Sequence, residues 1–163
     1  MSRVVYVNGR YRPYCDALVH VEDRGYQFGD GVYEVCEVYG GRLVDERRHM
    51  QRLQRSLSEL RIPLPMPLSA LSAVLHEVVR RNKVADGIVY LQITRGVARR
   101  EHAFPPAGTR PSIVVSARRL DRGQGERVAI ATRDTYVHAE DRVVATVGVQ
   151  NLVIVDTPDA VLV

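Results

Sequence analysis

The sequence predicts an α+β fold: a mainly antiparallel sheet with two helices on one face, followed by a short β meander. Two stretches in the middle repeat Leu, Met and Val at helical spacing, while the runs before and after them are short, β-branched and bounded by turn residues. Strands, then helices, then strands is the order of an α+β domain. From Asp134 the texture changes to three brief, almost continuous β-branched runs, so the chain divides into residues 1–133 and a β-rich tail of different apparent origin, 134–163.

The first element, RVVYVNGRYRP, reads as two strands around Asn8-Gly9, the dipeptide that best tolerates a type I′ hairpin turn. DALVHV, residues 16–21, alternates apolar and polar and predicts another strand. A glycine-rich loop, GYQFGDG, then leads into GVYEVCEVYGGRLV, a hairpin turning at Gly40-Gly41. Val32, Cys36 and Val38 fall on one face of that strand and Tyr33, Val35 and Tyr39 on the other, which predicts cover on both sides. Asp45 is the expected N-cap of a helix built on Met50, Leu53, Leu57 and Leu60, and prolines 63, 65 and 67 forbid its continuation. A second helix carries Leu68, Leu71, Leu75, Val78 and Val79, with RRNK at its C-terminal end, where positive charge suits the macrodipole. GIVYLQITRG (87–96), PSIVVSAR (111–118) and RVAIATR (127–133) predict three strands. In the tail, VVATV, LVIV and AVLV are separated by the turn sequences GVQN and DTPD. The final run is apolar and has no polar tail, which suggests docking or a cut.

At 45% apolar and 26% charged residues the composition is that of a soluble globular protein, and no run approaches the roughly 18 apolar residues of a membrane span. MSRVVYVNG lacks the apolar core of a secretory signal, so the expected compartment is the cytoplasm. Cys15 and Cys36 stand in no metal-type spacing and read as free thiols; no metal site is expected. The net charge of +4 comes from arginines that alternate with acids, without a basic stripe interleaved with aromatics, which argues against a nucleic-acid partner. Among the 23 basic residues only Lys83 is a lysine.

Three places could bind or react. The glycines before Tyr33 permit close backbone approach to a ligand, with the phenol as a donor to an anionic oxygen; they equally suit a tight turn before a packed Tyr. Arg52, two positions beyond Met50 in HMQRLQRS, aims at a phosphate or lies on a solvated helix face. Arg99, Arg100 and His102 in TRGVARREHAFPP form either a carboxylate grip or a basic loop tip. The histidines at 20, 49, 76 and 138 read as structural or surface groups.

Taken together, DRGYQFGDGVYEV, the helix HMQRLQRS and VYLQITRGVARREHAFP resemble, in order and spacing over residues 3–133, the N-terminal half of the class IV, fold-type IV pyridoxal-phosphate aminotransferases, with the D-amino-acid transaminases nearest. The resemblance implies that Tyr33 lines the cofactor pocket and touches substrate, that Arg52 binds the cofactor phosphate, and that Arg100 and His102 grip the carboxylate of an amino or keto acid, commonly across a homodimer interface. It also implies a Schiff-base lysine shortly after the strand RVAIATR. That strand is followed by DTYVHAEDR, and Lys83 lies at the end of the second helix, on a scaffold position. A guanidinium stays protonated and is a poor nucleophile, so no arginine substitutes for the lysine.

Residues 134–163 are similar to a late segment of the nucleotidyltransferase domain of mannose-1-phosphate guanylyltransferases. The G-G-x-G-x-R-L motif of that family does not occur in this sequence. The expectation is therefore a lysine-less aminotransferase fragment or chimera joined near Arg133-Asp134, with weak or absent cofactor binding and no activity alone. Two alternatives stand beside it: a non-catalytic scaffold that self-associates through a sheet edge such as AVLV, and a fragment linked to guanylyltransferase chemistry.

Overall fold

The computed structural model describes residues 3–120, 127–130, 132–139, 143–157 and 161–163. By their contacts the residues form two units, 1–120 and 121–163.

In the first unit Asn8 and Gly9 take φ of 45° and 92°, the left-handed backbone that a two-residue turn demands, and β1 (Val4–Val7) folds back on β2 (Arg10–Pro13). The Asn8 side chain accepts from the Ile113 amide at 2.8 Å, which ties this hairpin to β6 (Ser112–Arg119). The strand expected over residues 16–21 does not form. A 3-10 turn, Tyr14–Asp16, is followed by unpaired chain on which Leu18, Val19 and Val21 are exposed, so the alternation found no face to bury against. The glycine-rich loop also differs: residues Arg24–Phe28 wind into a short helix, α1, capped by the Asp23 carboxylate on the Gly25 amide at 2.8 Å and ended by Gly29 in the left-handed region.

Beyond α1 the elements are β3 (Gly31–Tyr39), β4 (Arg42–Leu43), α2 (Glu46–Glu59), α3 (Leu68–Arg81) and β5 (Gly87–Thr94). With β6 they complete a six-stranded antiparallel sheet in the order β2-β1-β6-β5-β3-β4. Leu53 and Leu57 of α2 and Leu71, Leu75 and Val78 of α3 bury their helical stripes on Val38, Val89, Leu91, Ile93 and Val115 of the sheet. Asp45 holds the N-cap position of α2, but through its carbonyl, which accepts from the Arg48 and His49 amides, and not through its side chain. Asn82 ends α3: its side chain donates to the Val78 and Val4 carbonyls and accepts from the Val4 amide, locking the helix end to β1. Within this unit the helices cover one face only. Tyr33 and Tyr39 on the other face are exposed, against the expectation of cover on both sides.

The second unit holds β7 (Arg127–Ile130), β8 (Tyr136–Ala139), β9 (Val144–Val147), β10 (Val153–Asp156) and β11 (Val161–Leu162). The strand-rich tail is as expected, but its pairing is interleaved: β7 lies parallel to β9 and β8 parallel to β10, and only β10–β11 has the antiparallel pairing of a meander. The β8–β10 register sets buried Val137 beside buried Ile154 and Ala139 beside Asp156, so parallel pairing gathers the inward residues that sequential hairpins would separate. Strand β7 thus belongs to this unit and not to the six-stranded sheet. Part of the DTPD turn lies outside the described residues. No helix among the described residues is long and apolar enough to cross a membrane.

Leu53 is fully buried between α2 and the sheet, whereas Leu18 is exposed. Leu53→Ala is expected to lower the unfolding free energy of the first unit by about 3 kcal/mol, and Leu18→Ala to change it by less than about 0.5 kcal/mol, in urea titrations followed by far-UV circular dichroism. Equal effects would contradict this layering.

Candidate functional site

The alternation of β3 turns Val32, Glu34, Cys36 and Val38 toward the helices and Tyr33, Val35 and Tyr39 away from them. Glu34 is 3% exposed, and a carboxylate placed there must be paired. Arg52 on α2 supplies a fork, Nε to Oε1 at 2.8 Å and Nη2 to Oε2 at 2.6 Å, and His49, one helical turn earlier, places Nδ1 2.8 Å from Oε2. Burial would raise the Glu34 carboxyl, but the hydrogen bonds from Arg52 and His49 outweigh it and hold the carboxyl below its ordinary range. The same bond and charge raise Arg52. Burial, with Glu34 and Glu46, pushes the Cys36 thiol up to about 12, which leaves it inert.

Arg52 remains 65% exposed at its side chain, and no described group accepts from its Nη1. Tyr33 is 66% exposed and stacks on Tyr90, centroids 5.9 Å apart, while the Tyr90 hydroxyl donates to Gln92 at 2.8 Å. Arg52 thus meets Glu34 on the helix side of β3, with Glu34 orienting the guanidinium, while Tyr33 leaves the strand on the other side, and no described contact joins the two. The exposed Arg52 guanidinium keeps its Nη1 donors and one Nη2 hydrogen for an anionic ligand.

Arg100 and His102 gather elsewhere. The Arg100 guanidinium carbon lies 5.2 Å from the Phe28 ring centroid and the His102 ring 5.7 Å from it. Beneath them Asp30 receives Nε of both Arg24 and Arg95 on one oxygen, each at 2.8 Å. Burial would raise Asp30, yet the bonds from Arg95 and Arg24 bring its carboxyl below the ordinary range. A cavity of about 640 Å³ opens here, lined in part by Arg24, Phe28, Asp30, Arg95, His102 and Phe104. Arg99 is exposed and faces Glu101 at 3.8 Å.

The glycines of the loop serve a close approach, but not to the Tyr33 and Arg52 region. A Cβ on Gly25 would sit 2.2 Å from the Thr94 methyl, and one on Gly31 would sit 2.7 Å from the Ile93 carbonyl oxygen. They let α1 and the start of β3 press against the end of β5. Sequence reading missed Glu34, although it shares the buried phase of Val32, Cys36 and Val38 and so needed a cation. It also missed the Arg24–Asp30–Arg95 cluster, for which spacing carries no signal. Of the histidines, His49 serves Glu34, His76 pairs with Glu46 at 2.9 Å and His20 accepts from the Glu22 amide at 3.0 Å. Cys15 and Cys36 are free, and no cluster of metal-ligating side chains occurs among the described residues. Lys83, past the end of α3, has φ of 51°, and its carbonyl accepts from Arg119. No described contact joins it to Tyr33 or Arg52.

Comparison with known proteins places this arrangement. The amino-transferase class IV family model matches residues 31–152. The D-alanine aminotransferase of Staphylococcus haemolyticus is 40% identical over 118 residues, 72% of this chain and 42% of that protein. The 4-amino-4-deoxychorismate lyase from Pseudomonas aeruginosa superposes with a TM-score of 0.62 at 31% identity, over 82% of this chain and 48% of its own. The T.th. branched-chain amino acid aminotransferase with pyridoxamine 5'-phosphate superposes with a TM-score of 0.67 at 20% identity, over 81% of this chain and 46% of its own, a likeness of fold alone. The chain thus spans less than half the length of these relatives.

The depressed carboxyls of Asp30 and Glu34 set an acid limit. Above about pH 4 both groups are ionised in the folded and unfolded states, and their contribution to stability is complete. As pH falls through that value the unfolded chain takes up protons first, and stability declines until the folded carboxyls also protonate. The urea midpoint of the first unit is therefore expected to fall below about pH 4, with a shallower fall in Glu34→Gln. Parallel acid profiles for the two proteins would show that Glu34 is not held ionised by Arg52.

Proposed function

Because the chain belongs to the class IV aminotransferases, we propose that Tyr33 and Arg52 are its share of a pyridoxal 5'-phosphate site and that Arg100 and His102 hold a substrate carboxylate. The observation that carries this reading is the Glu34 fork, which fixes the guanidinium plane of an Arg52 side chain that is still 65% exposed and leaves its Nη1 donors without an acceptor among the described residues. That geometry fits the anionic end of the cofactor. The cofactor, when bound, supplies an electron sink for bond changes at the amino carbon. Arg52 donates to its phosphate, Tyr33 lines its pocket, and Glu34 fixes the Arg52 plane. Similarity to D-alanine aminotransferase points to a D-amino acid and its keto acid as the substrate class.

Lys83 is the only lysine, and its place after α3 supplies no amine to this region. Turnover therefore needs an amine from outside this sequence, and the chain alone holds the cofactor weakly and does not transaminate. No described contact joins Arg100 and His102 to Tyr33 and Arg52, which supports a homodimer in which each chain's carboxylate grip serves the site of the other. A cytoplasmic protein is consistent with this chemistry.

A second reading concerns the tail. In this reading residues 134–163 are of separate origin and similar to the guanylyltransferase segment, but the class IV match runs on to residue 152 and β7, before residue 134, pairs with β9 after it, so the first reading is preferred. Under the scaffold alternative the free edge of β11 joins a second copy, favoured by the exposure of Val161 and Leu162.

Titration with pyridoxal 5'-phosphate, read by absorbance, is expected to saturate in the wild type and to weaken at least about tenfold in Arg52→Ala, the loss of one charge-assisted contact. Borohydride reduction followed by peptide mapping is expected to leave Lys83 unmodified, and D-alanine with a keto acid to give no exchange. Stoichiometric cofactor on Lys83 with turnover, or undiminished binding in Arg52→Ala, would overturn the assignment.

A further inference from the structure

We propose that Asp30 is a positioning residue: clasped by Arg24 and Arg95, it makes α1 the cradle that orders residues 96–104 and thereby aims Arg100 and His102. The proposal rests on the reading that these two residues grip a carboxylate, but the order of the segment is measurable without it.

Arg24 is 5% and Arg95 8% exposed, and a guanidinium so deeply placed must have its donors met. Both direct Nε to the same Asp30 oxygen. The remaining donors show what the pair holds. Arg24 Nη1 donates to the Glu101 carbonyl at 2.9 Å, the peptide midway between Arg100 and His102. Arg95 Nη1 and Nη2 donate to the Arg61 and Leu60 carbonyls, at 3.1 and 2.8 Å, past the end of α2. Asp30 therefore fixes one guanidinium that reaches the segment and another anchored in the body of the fold.

The rings follow the same plan. The Arg24 guanidinium carbon stands 4.7 Å from the Phe28 centroid, the ring against which Arg100 and His102 also lie, and Arg95 stands 4.6 Å from that of Phe104. Backbone bonds close the base: the Arg24 amide donates to Gly96 at 2.9 Å, the Ala98 amide to Glu22 at 3.3 Å and the Arg95 amide to Asp30 at 3.0 Å. The segment is thus attached at its start, its middle and its aromatic end to groups organised by one carboxylate. Two guanidinium groups on one carboxylate also leave a net positive charge below Arg100, which favours an incoming anion.

The test compares the whole chain with Asp30→Asn and Phe28→Leu. The first removes the clasping charge; the second removes the ring and leaves the ion cluster. Hydrogen exchange of the amides of residues 97–104 is expected to quicken about tenfold in each variant. In Phe28→Leu the amides of β3, β5 and β6 keep wild-type rates, the Arg100 Nε–H heteronuclear NOE falls, and D-alanine binding, read at the His102 ring by NMR, weakens several-fold. Should Asp30→Asn not fold, Arg24→Lys, which keeps a positive charge near Asp30 but loses the guanidinium that reaches the Glu101 carbonyl, decides by the same exchange readout, and unchanged rates there overturn the proposal. Unchanged exchange of residues 97–104 in folded Asp30→Asn, or a rise spread evenly over the sheet, overturns the proposal. An ordered wild-type segment that binds no D-alanine counts against the carboxylate reading alone, because the cradle is still judged by exchange.

Discussion

A slip of one residue between β3 and β5 would bury the Tyr33 phenol and turn the Glu34 carboxylate out to water. The observed register, Tyr33 opposite Gln92 and Gly31 opposite Thr94, forbids it, and both candidate sites descend from that pairing. It sends Glu34 inward to meet Arg52 and His49 of α2, so the helix is keyed to the strand by charge as well as by its leucine stripe. It also brings Asp30, just before β3, beside Arg95, just after β5. The antiparallel pair thus carries one acid near its middle and another at its open end, and each acid organises the arginines around it.

Much of this fold is legible from local pattern. The spacing of Met50, Leu53 and Leu57 and of Leu71, Leu75 and Val78 locates both long helices and their buried faces. Asn8-Gly9 and Gly40-Gly41 mark hairpins because their backbone requirement is local. The failures share a cause, dependence on a distant partner. Residues 16–21 alternate like a strand but have no neighbour to pair with. The tail has strands in the expected places, yet which strand lies beside which is set by the meeting of Val137 with Ile154 and Ala139 with Asp156, a match that periodicity within one strand does not encode. The glycines before Tyr33 announce a close approach, but the surface approached is the Thr94 end of β5, some sixty residues on.

The candidate residues separate along the same line. Tyr33, Arg52, Arg100 and His102 stand out by type and by resemblance to a family motif, and the fold gathers Arg100 and His102 against the Phe28 ring. The groups that hold them are harder to see. Glu34 was detectable in principle, since a charge in the apolar phase of a half-buried strand calls for a partner. Asp30 was not, because Arg24 lies in a glycine-rich stretch and Arg95 beyond a strand, and only the β3–β5 register unites them.

The use of arginine in place of lysine has a consequence for the proposed site. A free guanidinium grips a phosphate with two parallel donors. Arg52 has given its Nε edge to Glu34, so an anion beside it meets the remaining edge, the Nη1 donors with the second Nη2 hydrogen, on a pair whose formal charges cancel. What the pairing yields in exchange is a fixed direction for that edge, since a bidentate contact to a buried carboxylate fixes the plane of the guanidinium. An oriented edge on a charge-neutralised pair selects where an anion sits but supplies only part of its binding. Under the proposed reading, orienting that edge is the contribution of Arg52, and the Schiff-base amine is one that Lys83, the only lysine of the sequence, does not bring to this region.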